Sequence, residues 1–139
     1  MTSPVIAEHL SNHHPVRARR RDRRGLAPSR MLRALALIEE RFAEPLPVEV
    51  LAESVHLSPF HFARMFRRST GMSPHAFITR RRLDKAKMLL GTTDDPIAQI
   101  ARDVGYRTQA HFTRVFHATE GVTPLRYRRH HRPGTGPSA

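Results

Sequence analysis

Met31, Leu35, Ile38 and Phe42 recur at i, i+4, i+7 and i+11, the spacing that lays one apolar stripe along a helix. Ser29 is the expected cap of that helix, which must end before Pro45. Pro47 opens a short second helix with Val48, Leu51, Ala52 and Val55 inward. Ser58-Pro59 opens a third over about 59–70, closed by Gly71, and Ser73-Pro74 a long fourth over about 74–91, closed by Gly91. Asp95-Pro96 opens a fifth that ends near Gly105; a sixth begins near Thr108 and ends at Gly121; Thr123-Pro124 starts a last short one. Nowhere does the chain alternate apolar and polar residues as a half-buried strand would. The pattern predicts an all-α fold of about seven helices.

The chain also repeats itself. At an offset of 49, Leu51-Ala52 matches Ile100-Ala101, Val55 matches Val104 and Leu57 matches Tyr106. At an offset of 50, Phe62, Arg64 and Phe66 match Phe112, Arg114 and Phe116, while Gly71, Pro74 and Phe77 match Gly121, Pro124 and Tyr127. The change of offset puts one extra residue into the second copy's turn, around Arg107-Thr108. Each copy is a short helix, a tight turn and a longer helix, so the spacing predicts two helix-turn-helix units, about 29–73 and 92–130, joined by the helix 74–91. Residues 1–28 lack apolar periodicity and carry Arg17, Arg19, Arg20, Arg21, Arg23 and Arg24; a disordered basic arm is expected there, and a disordered tail over 131–139.

Composition narrows the partner. The 139 residues carry a formal net charge of +12, with 24 Lys and Arg against 12 Asp and Glu, the balance of a chain that meets a polyanion. Nucleic acid leads, with an anionic membrane surface second. The longest apolar run, Ala34 to Ile38, is far short of the roughly 20 residues that cross a bilayer, so no membrane span is expected. The N-terminal stretch has arginines where an export signal needs an apolar run, and a cytoplasmic, nucleoid-associated chain is expected. With 139 residues only one modest core or two small adjoining ones can form, which excludes a large multidomain enzyme. The absence of Cys excludes disulfides, zinc–thiolate sites and cysteine nucleophiles. Ten histidines raise the question of an enzyme, but His13-His14 and His130-His131 fall in the expected tails, no HExxH or Gly-rich phosphate loop occurs, and Asp94-Asp95 reads as a cap of the fifth helix. No catalysis, metal or cofactor is expected.

The charge is segregated. Residues 29–57 carry three basic and five acidic side chains and 92–106 one and three, whereas 58–91 carry eight basic and one acidic and 107–139 six and one. The first helix of each unit is thus acidic, while the second helix and the segment after it are basic. In a helix-turn-helix the second helix enters the major groove, so its exposed stripe should hold groups for base edges or phosphates. Opposite the apolar stripe Phe62, Met65 and Phe66 lie Phe60, Ala63, Arg64 and Arg67; opposite Phe112, Val115 and Phe116 lie Ala110, Thr113, Arg114 and His117. Ser58, His61 and Arg68 complete the first candidate set, and Arg107 and Gln109 the second. Unlike faces on like cores imply an asymmetric DNA target read by one chain.

Arg64 and Arg114 are the leading base or phosphate contacts, since a guanidinium takes guanine or phosphate in bidentate fashion and both repeats place one there. Gln109 either pairs with adenine or simply faces water. Thr113 either touches a thymine methyl or is a bystander, and Phe60 either packs on a methyl or sugar or turns inward. Arg80, Arg81, Arg82 and Arg128 are expected at phosphates, or in ion pairs with Asp84 and its neighbours, adding affinity and salt dependence without specificity. The arm Arg17–Arg24 either follows the DNA or only solubilises the chain. Phe62, Phe66, Phe112 and Phe116 lie on apolar stripes and are unavailable for base stacking, which argues against single-stranded or RNA targets.

These residues together resemble the DNA-binding domain of the AraC/XylS family of bacterial transcription regulators. The resemblance is carried by Leu51-Ala52, Val55, Leu57-Ser58-Pro59, Phe62, Arg64, Phe66 and Gly71-Met72-Ser73-Pro74, then by Arg82-Leu83, Ala86, Leu89-Leu90 and Pro96-Ile97. It continues through Ile100-Ala101, Val104-Gly105-Tyr106, His111-Phe112, Arg114, Phe116, Gly121, Thr123-Pro124 and Tyr127-Arg128, and covers 29–130, about three-quarters of the chain. It implies a monomer with two recognition helices in successive major-groove segments, about one helical turn apart. With no room for an effector domain, the chain looks like the short stand-alone members, which implies an activator that contacts RNA polymerase on promoter DNA. The alternatives are a nonspecific nucleoid-associated protein, and the severed C-terminal half of a larger effector-responsive regulator. Two departures stand out. Pro47 replaces the family's frequent Ser or Thr cap, and His56 stands where Gly105 does in the second unit, so the first unit is expected to be the less rigid.

Overall fold

The computed structural model describes residues 25–132; the expected tail from Pro133 and the arm up to Arg24 lie outside the described residues. Seven helices follow in order: α1 (Pro28–Arg41), α2 (Val48–Ser54), α3 (Pro59–Thr70), α4 (Pro74–Thr92), α5 (Ile97–Asp103), α6 (Gln109–Glu120) and α7 (Pro124–His131). No strand occurs among the described residues, so the fold is all-α as the periodicity predicts. No described helix is long and apolar enough to cross a membrane.

Three helix ends differ from expectation, each for a local reason. α1 starts at Pro28, so Ser29 lies inside its first turn and is not the cap; Pro28 has the φ of a first helical residue built in, and Met31 N–H donates to Ala27 O at 2.9 Å. α1 buries Met31, Ala34 and Ile38, while Leu35 and Phe42 are only half-buried, because the small Ala34 lets a neighbour approach closely. Gly91 does not end α4, which runs to Thr92: the backbone there stays helical, and the terminal carbonyls of Leu90 and Thr93 accept from the Arg128 guanidinium at 3.1 Å each. Neither Asp94 nor Asp95 caps α5. Pro96 occupies the cap position with no side-chain hydrogen bond, as Pro47 does for α2, while Asp94 pairs with Arg132 and the Asp95 N–H donates to Thr93 Oγ1.

The chain divides into two compact units, one holding the segments to Arg41 and Leu46–Ile78, the other Phe42–Pro45 and everything from Thr79. In the first, α3 lies on α2 and buries Phe62, Met65 and Phe66. Phe62 and Phe66 sit 5.5 Å apart, and Phe66 meets Phe77 edge-on at 5.3 Å. In the second, Leu83, Ala86, Leu90, Ile100, Ala101, Val104, Tyr106, Phe112 and Phe116 form one cluster. Phe112 and Phe116 sit 5.7 Å apart, and Phe116 meets Tyr127 edge-on at 5.6 Å. Each unit thus rests on the same aromatic triplet at the same offset. Each fully buried Phe contributes about 1.5–3 kcal/mol through its burial, enough that loss of one threatens a unit this small.

Candidate nucleic-acid interface

The local chemistry at the start of α3 and α6 fixes what those helices present. Ser58 is extended (φ −69°, ψ 154°) and its Oγ accepts from the His61 N–H at 3.2 Å; Thr108 is extended too and its Oγ1 accepts from the His111 N–H at 3.1 Å. Both helices run 12 residues and end in a left-handed glycine, Gly71 at φ 80° and Gly121 at φ 81°, whose N–H closes on the Arg67 and His117 carbonyls. No side chain could take that conformation without strain. Equal caps and equal lengths put corresponding residues at the same angle around each helix.

On α3, Phe60, His61, Arg64, Arg67 and Arg68 are exposed, as is Ser58 before it, and Ala63 is half-buried. Phe60 does not turn inward: it is 78% exposed, and the Arg64 guanidinium lies 6.0 Å from its ring centroid, one turn along the same face. On α6, Gln109, Ala110, Arg114 and His117 are exposed, as is Arg107 before it, and Thr113 is half-buried. Ala110 stands where Phe60 does, so Arg114 has no ring beneath it. His111 instead meets the buried Tyr106 ring edge-on at 5.2 Å, a contact that Leu57 cannot offer His61. The two faces therefore share a guanidinium at the centre and differ around it.

Of the four further arginines expected at phosphates, only Arg80 is fully exposed. Arg81 lies 5.1 Å over the Phe42 ring and 3.8 Å from Asp84, the ion-pair alternative to a phosphate contact. Arg82 and Arg128 are corrections: both guanidiniums turn inward to backbone carbonyls. Arg82 donates to Phe42 O at 2.6 Å and to Glu44 O at 2.9 Å and lies 5.3 Å over the Tyr106 ring, while Arg128 closes the end of α4. The physical reason is that α1 and α4 end without a left-handed glycine, leaving carbonyls that need donors from elsewhere. A helix end with no closing glycine, together with an unassigned Arg, is the sequence signal for both.

Burial raises the Tyr106 phenol above its ordinary pKa, and the neighbouring Arg82 charge together with hydrogen bonds from Arg82 and Thr79 lowers it only in part. The phenol therefore stays neutral under the guanidinium at any physiological pH. Among the described residues no three His, Asp or Glu converge as a metal site would require.

A family model described as a helix-turn-helix domain matches residues 51–130. The regulatory protein SoxS of Escherichia coli K12 is 39% identical over 94 residues, which is 68% of this chain and 88% of SoxS. The regulatory protein PocR of Salmonella typhimurium is 37% identical over 107 residues, 76% of this chain but 35% of PocR, so the chain spans about a third of the length of such longer relatives. Among solved structures, the DNA-binding domain of the global transcriptional factor AdpA, in complex with a target DNA, superposes with a TM-score of 0.67 at 30% identity, covering 70% of this chain and 88% of that one.

Proposed function

The chain belongs to the AraC-type helix-turn-helix family of transcriptional regulators, and on that premise we propose that it is a sequence-specific regulator of double-stranded promoter DNA. It binds as a monomer to an asymmetric site, with α3 and α6 in successive major-groove segments. The observation that carries this reading is the equal capping of two helices whose exposed faces differ: Phe60, Ala63, Arg64 and Arg67 on one, Ala110, Thr113, Arg114 and His117 on the other. Arg64 and Arg114 take guanine or phosphate, Gln109 pairs with adenine, and Thr113 meets a thymine methyl. His61 and the N–H groups behind Ser58, with Arg67, Arg68, Arg80 and Arg107, face the flanking phosphates.

Selection of the purified chain on random duplex DNA near 0.15 M salt, where a Debye length of about 8 Å suppresses much nonspecific attraction, tests the proposal. The expected motif has two unequal blocks about ten base pairs apart. A palindrome would replace the monomer with a symmetric dimer; no enriched motif would leave only a nonspecific nucleoid-associated role. Similarity to a stand-alone regulator such as SoxS extends the proposal to activation through RNA polymerase. A selected site placed upstream of a core promoter should raise transcription by purified polymerase, and repression there reverses the sign.

A further inference from the structure

Gly25 and Leu26, the last residues of the segment expected as a basic arm, are buried against the end of α3. The Leu26 N–H donates to Ser69 Oγ at 2.8 Å across 43 residues of chain, and Leu26 is 2% exposed. A Cβ on Gly25 would run into the Ser69 hydroxyl and come within 3.1 Å of its Cα, so the backbone at Gly25 lies flat on α3 where no side chain fits. This anchor fixes where the six arginines Arg17, Arg19, Arg20, Arg21, Arg23 and Arg24 begin: immediately beside the last turn of the first candidate recognition helix.

We propose that this arginine-rich segment is a third DNA contact, gripping phosphates that flank the half-site of the first unit. The proposal rests on the DNA-binding reading above. At about 100° per residue, Ser69 lies on the side of α3 opposite Phe60, so the segment starts behind the helix relative to its exposed stripe. The helix with its side chains is about 10–12 Å thick, a distance that three or four extended residues cover. From Arg24 to Arg17 an extended chain reaches about 25 Å, which leaves at least four arginines able to pass the helix edge. DNA offers one phosphate charge per about 1.7 Å of axis, so each finds a partner. The exposed Arg67 and Arg68 lie in the same last turn as Ser69, which concentrates positive charge at this end of α3. Such a concentration is relieved by a polyanion running past that end.

The competing occupant is the exposed acidic face of the same unit, Glu39 and Glu40 on α1 with Glu49 and Glu53 on α2. The test separates them. The six arginines are changed together to glutamine in the full chain, and affinity for the selected duplex is followed over a range of salt. Expected is a slope of log K against log salt shallower by about 4, at about 0.9 per phosphate contact, with binding at least about tenfold weaker near 0.15 M. The difference should vanish on a duplex trimmed flush with the first unit's half-site. An unchanged slope reduces the segment to a solubilising tail, and tighter binding by the glutamine chain places it on the acidic face; either overturns the proposal. Selection with the glutamine chain keeps the two questions apart, because a retained two-block motif leaves the reading by α3 and α6 standing whatever the slope does.

Discussion

The two helix-turn-helix units share their caps and their aromatic triplets, yet their turns are held by different means. In the first, His56 takes a left-handed conformation at φ 60°, the one non-glycine residue among those described to do so. Its cost is about 1–2 kcal/mol against glycine, tempered because histidine is among the side chains that visit this region. In the second, Gly105 sits at φ 105°, and a Cβ there would lie 3.0 Å from both Ala43 O and the Arg82 guanidinium. The second turn is therefore part of a packed knot of Gly105, Tyr106, Arg82 and the Phe42–Pro45 connector, whereas the first is a free-standing turn. Equal function at the helix face does not require equal construction behind it.

The largest effects should be alike in the two units. Phe66→Ala and Phe116→Ala each remove a fully buried ring with an edge-on aromatic partner and should each cost about 3–5 kcal/mol by denaturant unfolding. A cost in one unit less than half that in the other would break the equivalence of the two cores. Gly105→Ala should cost about 3 kcal/mol, since it combines backbone strain with a collision against the clamp. A near-neutral result would mean that the knot yields easily and that the turns do not differ as described.

Arg64→Ala and Arg114→Ala address the faces. Each should cost about 1–3 kcal/mol in DNA affinity, with relaxed preference at one base if the guanidinium reads a base and a uniform loss across sequences if it meets phosphate. Arg64, beside Phe60, should show the larger loss, and equal binding by wild type and both variants would remove the two residues from the interface. His56→Gly should stabilise the first unit by at most about 1 kcal/mol, as relief of strain is partly offset by the freer unfolded chain. Hydrogen exchange in wild type should accordingly be faster in the first unit, and slower exchange there would contradict this account of the turns.

The smallest effect is alkaline. Because burial holds the Tyr106 phenol protonated above its ordinary range, the unfolded tyrosine ionises first, near pH 10, and the unfolded state then binds fewer protons. Stability of the second unit should fall as pH rises above about 10 and be flat below it. Tyr106→Phe should flatten the decline, and an unaltered decline would assign it to another group.

Helix caps are the most legible part of the chain. Ser58-Pro59 with Gly71, and Thr108 with Gly121, each combine a side-chain acceptor with a glycine that alone tolerates its backbone, so a two-residue signal at each end sets α3 and α6 to the residue. Where one signal serves two purposes it misleads. Gly91 reads as a terminator because glycine often is one, but glycine is also allowed inside a helix, and only the arrival of Arg128 at the Leu90 and Thr93 carbonyls settles where α4 stops. Asp95 reads as a cap, yet Pro96 occupies that position itself.

By itself the sequence determined the helices, the repeat, the aromatic triplets and the position of each exposed stripe, because all of these follow from contacts within about ten residues. Only the tertiary structure decided which arginines are structural. Arg82 and Arg128 find their carbonyl partners 35 to 40 residues away, and Leu26 finds Ser69 across 43. A guanidinium is equally suited to a phosphate, a carboxylate or an orphaned helix carbonyl, so its type and local spacing carry no preference among them. The partner is selected by which acceptor the folded chain brings within about 3 Å, and that is a property of the packed units.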